Sequence, residues 1–389
     1  MTIALDRRIE VRRLTTQSDL DAIRDEWRQL DVRCPDLTPF STWEWCSTVA
    51  EFYGGDRPFW VLTLRRDGEL IGVAPFAEVR SMGLRVLQFI GSGLRRYPIS
   101  DYQDLLVAPE YEDEALCALC DDLRGRSGWD MLYLQELPPT SKTPEKLMEP
   151  LCGCSWLPVL QYGSDVHFLP IEGDWDSYKA TLSRTTRNDT GRLIRKLIAE
   201  KEASLICIDG DVGAVDAAMN SLFDLHTQRW QSKGLPGIFR TEQRREFDRE
   251  VARRFARRGM LVLWLLNAGD RTIAAKYGFV RDGVQYHYAV GYNVDPEWSR
   301  FRLGAVMDMQ IIRNAFDDGL RGVDFMRGEG HYKDHYRMKT ALNREMLIFR
   351  SRRVWLHYRL ARFARAAAAE AYRAMKRRRT APAVEEQDR

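Results

Sequence analysis

No stretch of about 18 apolar residues occurs in the 389-residue chain, and Met1 to Arg13 holds no apolar run of the kind that heads a secreted protein. Those two absences argue against a membrane span and a leader, and predict a cytoplasmic protein. Cysteine is sparse and odd in number: seven, at 34, 46, 117, 120, 152, 154 and 207. They are scattered and mostly embedded in apolar segments, which suits reduced core thiols rather than a disulfide frame. Cys117 and Cys120 form a CxxC and Cys152 and Cys154 a CxC. The first pair falls in a helix-like stretch, Glu114 to Leu123, where residues three apart share a face for packing reasons, so no metal site is expected. HxxxH, HExxH and triad spacings are also missing, and His226 and His287 read as structural. Net charge is only +3, too balanced to mark a nucleic-acid binder.

What is present is a globular composition, 44% hydrophobic and 11% aromatic, with enough length for two or three domains at about 150 residues each. The charge is unevenly placed. Arg350 to Arg379 carries eleven basic residues against one acidic, Glu370, so a mildly acidic body ends in a strongly basic tail.

Along the chain, Thr16 with Asp19 and Ser41 with Glu44 open two capped helices. Phe59 to Leu64, a turn at Asp67-Gly68 and Leu70 to Phe76 form a hairpin; Leu84 to Ile90 and Asp104 to Val107 continue the strand pattern. A helix over Glu110 to Leu123 and a strand over Trp129 to Leu134 follow. The second half repeats that order. Helices near Trp175 to Glu200, Val215 to Gln231 and Thr241 to Arg258 lead to Met260 to Leu266, Thr272 to Phe279 and Val284 to Val290; a helix from about Gly304 to Asp318 and the strand Gly322 to Met326 complete it. Trp60…Gly68-Glu-Leu-Ile71 aligns with Trp264…Gly269-Asp-Arg-Thr-Ile273, and the chain reads as two copies of one α/β unit.

Helix, antiparallel strands, helix, strand is the order of the Gcn5-related N-acetyltransferase (GNAT) fold. The C-terminal residues narrow the likeness: Arg229-Trp230…Gly234, Phe239, Ile273-Ala-Ala-Lys-Tyr-Gly-Phe279, Tyr286…Tyr288, Gly291-Tyr292…Asp295-Pro296, Gly304, and Asp324-Phe325…Arg327-Gly328…Tyr332-Lys333. Over about residues 165 to 350 the chain resembles the BioF2-like acetyltransferase domain of the CelD/BcsL group, relatives of the FemAB peptidoglycan aminoacyltransferases. The resemblance implies an α/β fold of tandem GNAT-like (acyl-CoA N-acyltransferase) modules, mixed sheets flanked by helices. It divides the chain into a degenerate N-terminal module over 1–165, a BioF2-like module over 166–350 and a basic, partly helical tail over 351–389. It implies an acyltransferase using acetyl-CoA or another acyl-CoA as co-substrate, with no permanently bound cofactor and an amine or hydroxyl acceptor such as a polysaccharide or cell-envelope precursor. Two alternatives stay open: a FemAB-like transferase with aminoacyl-tRNA as donor, the one case in which nucleic acid is a partner, and a non-catalytic member of an exopolysaccharide synthesis complex.

Acyl transfer from a thioester needs backbone N–H groups on the carbonyl and amides at a helix N-terminus for the pyrophosphate. Val290, Gly291 and Tyr292, then Gly304 opening a helix, supply both if Gly291 marks a strand bulge and Gly304 admits the phosphates. The loop Arg300-Phe-Arg-Leu-Gly304 has a single glycine where the family's loop usually has several, and Arg300 and Arg302 can pair with phosphate instead. Asp324, Arg327, Glu329, Tyr332, Lys333 and His335 crowd one strand end. There Glu329 reads as the base for an attacking amine and Tyr332, or Tyr336, as the acid for the leaving thiolate. The competing reading is a solvated ion-pair cluster. Lys276 shares a strand face with Ala274 and Gly278 and either meets an anionic acceptor or snorkels. Arg187, in the basic stretch Ser183 to Lys196, is assigned to the acceptor cleft, with Arg229, Trp230, Arg327 and Lys333 at the substrate. In the tail, Leu356, Leu360, Phe363, Ala367, Ala371 and Ala374 form one stripe. It is expected to dock on the body to about Phe363 and fray beyond, with weak contact to anionic membranes at the inner face as the alternative.

Overall fold

The structure is a computed structural model that describes residues 9–56, 59–93, 100–151, 155–210, 212–328 and 335–380. The first half runs β1 (Glu10–Leu14), α1 (Gln17–Ala22), α2 (Arg24–Val32), α3 (Trp43–Tyr53), β2 (Phe59–Arg66), β3 (Glu69–Ser81), β4 (Leu84–Phe89), β5 (Leu106–Val107), α4 (Glu112–Gly125), β6 (Met131–Leu137) and α5 (Thr143–Leu151). After the long β7 (Leu157–Pro170) come α6 (Trp175–Thr181), α7 (Arg184–Lys201), β8 (Ala203–Ile208), α8 (Val212–Gln231), α9 (Glu242–Ala256), β9 (Leu261–Ala268), β10 (Arg271–Arg281), β11 (Val284–Tyr292), α10 (Pro296–Ser299), α11 (Leu303–Asp317) and β12 (Gly322–Arg327). The chain closes with β13 (Lys339–Phe349) and α12 (Arg352–Thr380).

Local chemistry sets the elements. Thr16 and Asp19 form the expected capping box on α1. At α3 the cap is Thr42 rather than Ser41, because the Ser41 hydroxyl is taken by the backbone N–H of Asp104 (3.1 Å) and Thr42 Oγ1 accepts from Trp45 N instead. The turns Met82-Gly83 and Asp282-Gly283 occupy equivalent places in the two halves, each with positive φ at both residues, as two-residue hairpins require.

All strands join one sheet in the order β1-β2-β3-β4-β6-β13-β7-β12-β11-β10-β9-β8, with β5 beside β3. Among the described residues only β4–β6 and β11–β12 pair in parallel. The run β1-β2-β3-β4-β6 thus mirrors β8-β9-β10-β11-β12, and the two-copy reading holds. The sequence reading missed β7 and β13, which meet at the middle and exchange places. β13, late in the chain, pairs with β6 of the first half, and β7, early in the chain, pairs with β12 of the second. The 165/166 division therefore falls within β7, a strand bonded to both β12 and β13.

The halves also share a core. Trp45 and Phe40 pack edge-on against Phe279, each with ring centroids 5.8 Å apart, and Trp45 meets Phe247 of α9 at 5.5 Å. Buried Glu44 accepts from Arg258 (3.0 Å), and buried Asp31 is paired with Arg281.

No helix among the described residues is long and apolar enough to cross a membrane. In α12, Val354, Trp355 and Tyr358 pack on Leu84, Val86, Met131, Leu347 and Phe349, and His357 Nε2–H donates to the Met82 carbonyl (2.8 Å). The stripe expected to dock faces solvent instead: Leu356, Leu360 and Phe363 are 52%, 61% and 76% exposed. At 3.6 residues per turn the stripe lies opposite the docked face, and the helix continues to Thr380 rather than ending near Phe363.

Candidate active site

Parallel pairing of β11 with β12 lasts three residues, Val284↔Gly322 to Tyr286↔Asp324. Beyond it β11 stays with β10 and β12 with β7, so the sheet opens between them. At that opening, under the N-terminus of α11, lies a cavity of about 630 Å³. Arg229, Lys276, Val290, Tyr292, Arg302 and Gly304 line it, with Lys233, Trp298 and Asp308, which the sequence reading missed. Asp308 had a signal: a lone acid in the apolar run of α11.

The helix end is prepared for an anion. Arg302 is the N-cap in the left-handed region (φ 51°), no side chain caps the helix, and its first turn has no acid. Helix α4, at the equivalent place in the first half, carries Glu112, Asp113 and Glu114 in its first turn, so the positive end of its dipole is already occupied by carboxylates. Two buried donors on the cavity wall, Arg229 Nε and Trp298 Nε1, have no hydrogen-bond acceptor among the described residues. A Cβ on Gly304 would meet only the Tyr292 ring at 3.6 Å, an ordinary contact, so chain packing does not demand glycine there.

The floor is a buried polar chain. The Lys276 ammonium pairs with Asp308, both side chains 6% exposed, and lies 4.9 Å from the Phe325 ring. It donates to Nδ1 of His287 (3.2 Å), whose Nε2 lies 3.0 Å from the Gln285 carboxamide nitrogen. Lys276 is thus a partnered buried cation rather than a snorkelling one.

The other expected residues are placed as follows. Gly291 is not at a bulge. The irregularity lies where Tyr277 and Gly278 pair with Ala289 and His287, and Gly291 instead admits the backbone of α8, since a Cβ there would stand 2.4 Å from His226 N. Arg300 pairs with Glu200 (3.2 Å), outside the cavity. Trp230 packs at a tilt against His226, whose imidazole burial holds at about 3, well below the usual range. Arg187 lines a different cleft, with α6, β8 and α11. Cys117 and Cys120 both lie on α4, Cys120 buried in the core. Glu329, Tyr332, Lys333, Cys152 and Cys154 lie outside the described residues. Tyr336 is buried, stacks on Phe325 and accepts at its carbonyl from the Tyr178 hydroxyl (3.1 Å).

Arg327 belongs to a second polar centre, where the two halves meet. It pairs with Asp101 and lies 3.5 Å from Glu136, which also accepts from Ser164 Oγ (2.7 Å) and Asn343 Nδ2 (2.7 Å). Burial pushes the Asp101 carboxyl up to about 6, against the pull of Arg327. Beside it the Tyr102 hydroxyl donates to Asp324 (3.0 Å). Asp101, Tyr102 and Glu136 were not singled out in the sequence, where they stand far from Asp324 and Arg327.

No curated protein matches this chain in sequence. Residues 184–334 match the family described as the acetyltransferase (GNAT) domain. Among solved structures, FemX superposes with a TM-score of 0.57 at 12% identity, covering 87% of this chain and 96% of that one. L-PGS from Bacillus licheniformis gives 0.51 at 9%, covering 86% and 96%, and the C-terminal domain of a protein described as a lysylphosphatidylglycerol synthetase from Agrobacterium fabrum 0.51 at 8%, covering 86% and 93%. At such identities these likenesses establish the fold. With the mirrored strand order, they make the chain a tandem α/β protein in which the match to the acetyltransferase (GNAT) domain covers residues 184–334.

Proposed function

We propose that the second half transfers an acyl group from an acyl-CoA to an amine or hydroxyl acceptor, a polysaccharide or cell-envelope precursor being the acceptor class the family resemblance favours. The observation that carries the reading is the meeting, in one cavity, of an uncapped acid-free helix N-terminus with Arg229, Lys233 and Arg302, the Arg229 Nε and Trp298 Nε1 donors having no acceptor among the described residues. Such a surface suits the pyrophosphate of a CoA ester. The parallel ladder of β11 with β12 ends at Tyr286, and a thioester arm in the cavity would run beside β11 there. In the reaction a base takes the acceptor proton, the acceptor attacks the thioester carbonyl, and the tetrahedral intermediate collapses with a proton delivered to the departing thiolate. Glu329 and Tyr332 are the proposed base and acid.

The test is release of free CoA thiol from acetyl-CoA with amine and hydroxyl acceptors. Glu329→Gln and Tyr332→Phe are each expected to lower turnover by about 10²-fold or more. Full activity in both removes that assignment. The FemX likeness favours one other donor: transfer from aminoacyl-tRNA with no thiol release identifies the FemAB-like reading, and transfer from neither donor the scaffold reading.

The membrane alternative for the tail gains support from α12. Its Leu356, Leu360 and Phe363 face is unpacked, and Arg352, Arg353, Arg359, Arg362, Arg365 and Arg373 stand against Glu370 alone on its described surface. Each basic residue adds up to about 1 kcal/mol near anionic lipid. Vesicles rich in phosphatidylglycerol are expected to pellet the full chain at physiological salt. A chain ending at residue 351, or one carrying L356Q, L360Q and F363Q together, is expected to stay in the supernatant. Equal pelleting of all three proteins contradicts this.

A further inference from the structure

A second cleft, about 690 Å³, lies between α6, α7, β8 and the C-terminal half of α11. It shares α11 with the proposed donor cavity but takes different residues: Met309, Gln310, Arg313, Asn314 and Asp317 rather than the first two turns.

Its charge is out of balance. Elsewhere on α7, Lys196 pairs with Glu200 (3.6 Å) and Lys201 with Glu297 (4.0 Å). The cleft face presents Arg187 and Arg195, joined by Lys179 of α6 and Arg313 of α11. Of these four only Arg313 has a carboxylate partner among the described residues, Asp317 at 3.6 Å. Among the described residues Arg187 donates to the Ala180 carbonyl, at 3.4 Å. Like charges gathered on a concave surface repel one another, and a bound anion relieves that. Between the cations the lining is apolar, from Trp175, Ile194, Ile198, Leu205 and Met309, and Ile198 is 49% exposed with nothing packed over it. The buried carbonyl oxygen of the Gln310 side chain has no donor among the described residues.

We infer that this cleft binds a single-chain anionic amphiphile, its phosphate or carboxylate held by Arg187, Arg195 and Lys179, its alkyl body on the Ile194–Ile198–Met309 surface, and a hydroxyl of its head on the Gln310 carbonyl. Charge alone would be met by inorganic anions and apolar lining alone by neutral detergents; the two together select a molecule with both features. The inference does not depend on the acyl donor.

Calorimetric titration of the full chain with lauroyl lysophosphatidic acid below its critical micelle concentration tests it. Laurate distinguishes a carboxylate from a phosphate head, glycerol 3-phosphate lacks the chain, and monolaurin lacks the charge. Binding of one lysophosphatidic acid per chain is expected, at least tenfold tighter than glycerol 3-phosphate or monolaurin. Binding of laurate at the same strength would assign the head pocket to carboxylates as well. Arg195→Glu and Ile198→Asn, both at exposed positions and checked for unchanged melting, are expected to weaken it tenfold or more. Gly304→Val is expected to leave it intact, so loss of donor binding and loss of amphiphile binding are separable. No saturable binding, equal binding of glycerol 3-phosphate or monolaurin, or full binding by both cleft variants overturns the inference.

Discussion

Asp308→Leu is expected to cost about 3–5 kcal/mol of folding stability, because it leaves the Lys276 ammonium buried without its counter-charge. Lys276→Met combined with Asp308→Leu is expected to recover most of that loss, since removing both charges also removes the desolvation cost they carry. Acyl transfer should not recover with it if the floor of the cavity positions the donor or acceptor. Urea unfolding of the two single variants and the double variant reads the first effect, and thiol release the second. A fully active double variant would show that the buried pair serves folding alone. An Asp308→Leu protein as stable as wild type would show that Lys276 escapes to solvent.

Arg281→Met should destabilise the whole chain by a comparable amount, about 3–5 kcal/mol, through a different route. Arg281, on β10 of the second half, pairs with the Asp31 carboxylate and donates to the carbonyls of Asp31 (3.1 Å) and Cys34 (2.9 Å) at the end of α2 in the first half. Methionine fills similar volume but leaves Asp31 and two buried carbonyls without this donor. With strands exchanged and one aromatic core shared, the loss should appear as a lower midpoint of a single transition, followed by far-ultraviolet circular dichroism and by tryptophan fluorescence. Two separated transitions, with only one moved, would contradict the shared core.

The repeat was legible because its hairpins are written in apolar runs closed by turn residues such as Asp67-Gly68, and these signals are local. Strands β7 and β13 were not legible. They carry Gly163-Ser-Asp165 and Lys339 to Arg344, and one face of their pairing is open enough to leave Leu160, Tyr162 and Leu342 at 52%, 74% and 42% exposure. The proposed donor cavity was largely readable, since Val290 to Gly304 is one continuous segment and Lys276 is the cross-strand partner of Val290. Asp101 and Glu136 beside Arg327 were not, because chain exchange at the middle of the sheet brings them together across some two hundred residues. Gly291 was read for the wrong reason: its lack of a side chain serves the approach of α8 rather than a bulge.

Titration calorimetry with acetyl-CoA addresses the central claim most directly. The account predicts one site per chain, weakened about tenfold or more by Gly304→Val, whose side chain would stand over Tyr292 at the mouth of the cavity, and unchanged by substitution of Gly93, which follows β4 in the first half and does not line this cavity. No binding of acetyl-CoA by the wild-type chain, or equal losses from changes at Gly304 and Gly93, would contradict it.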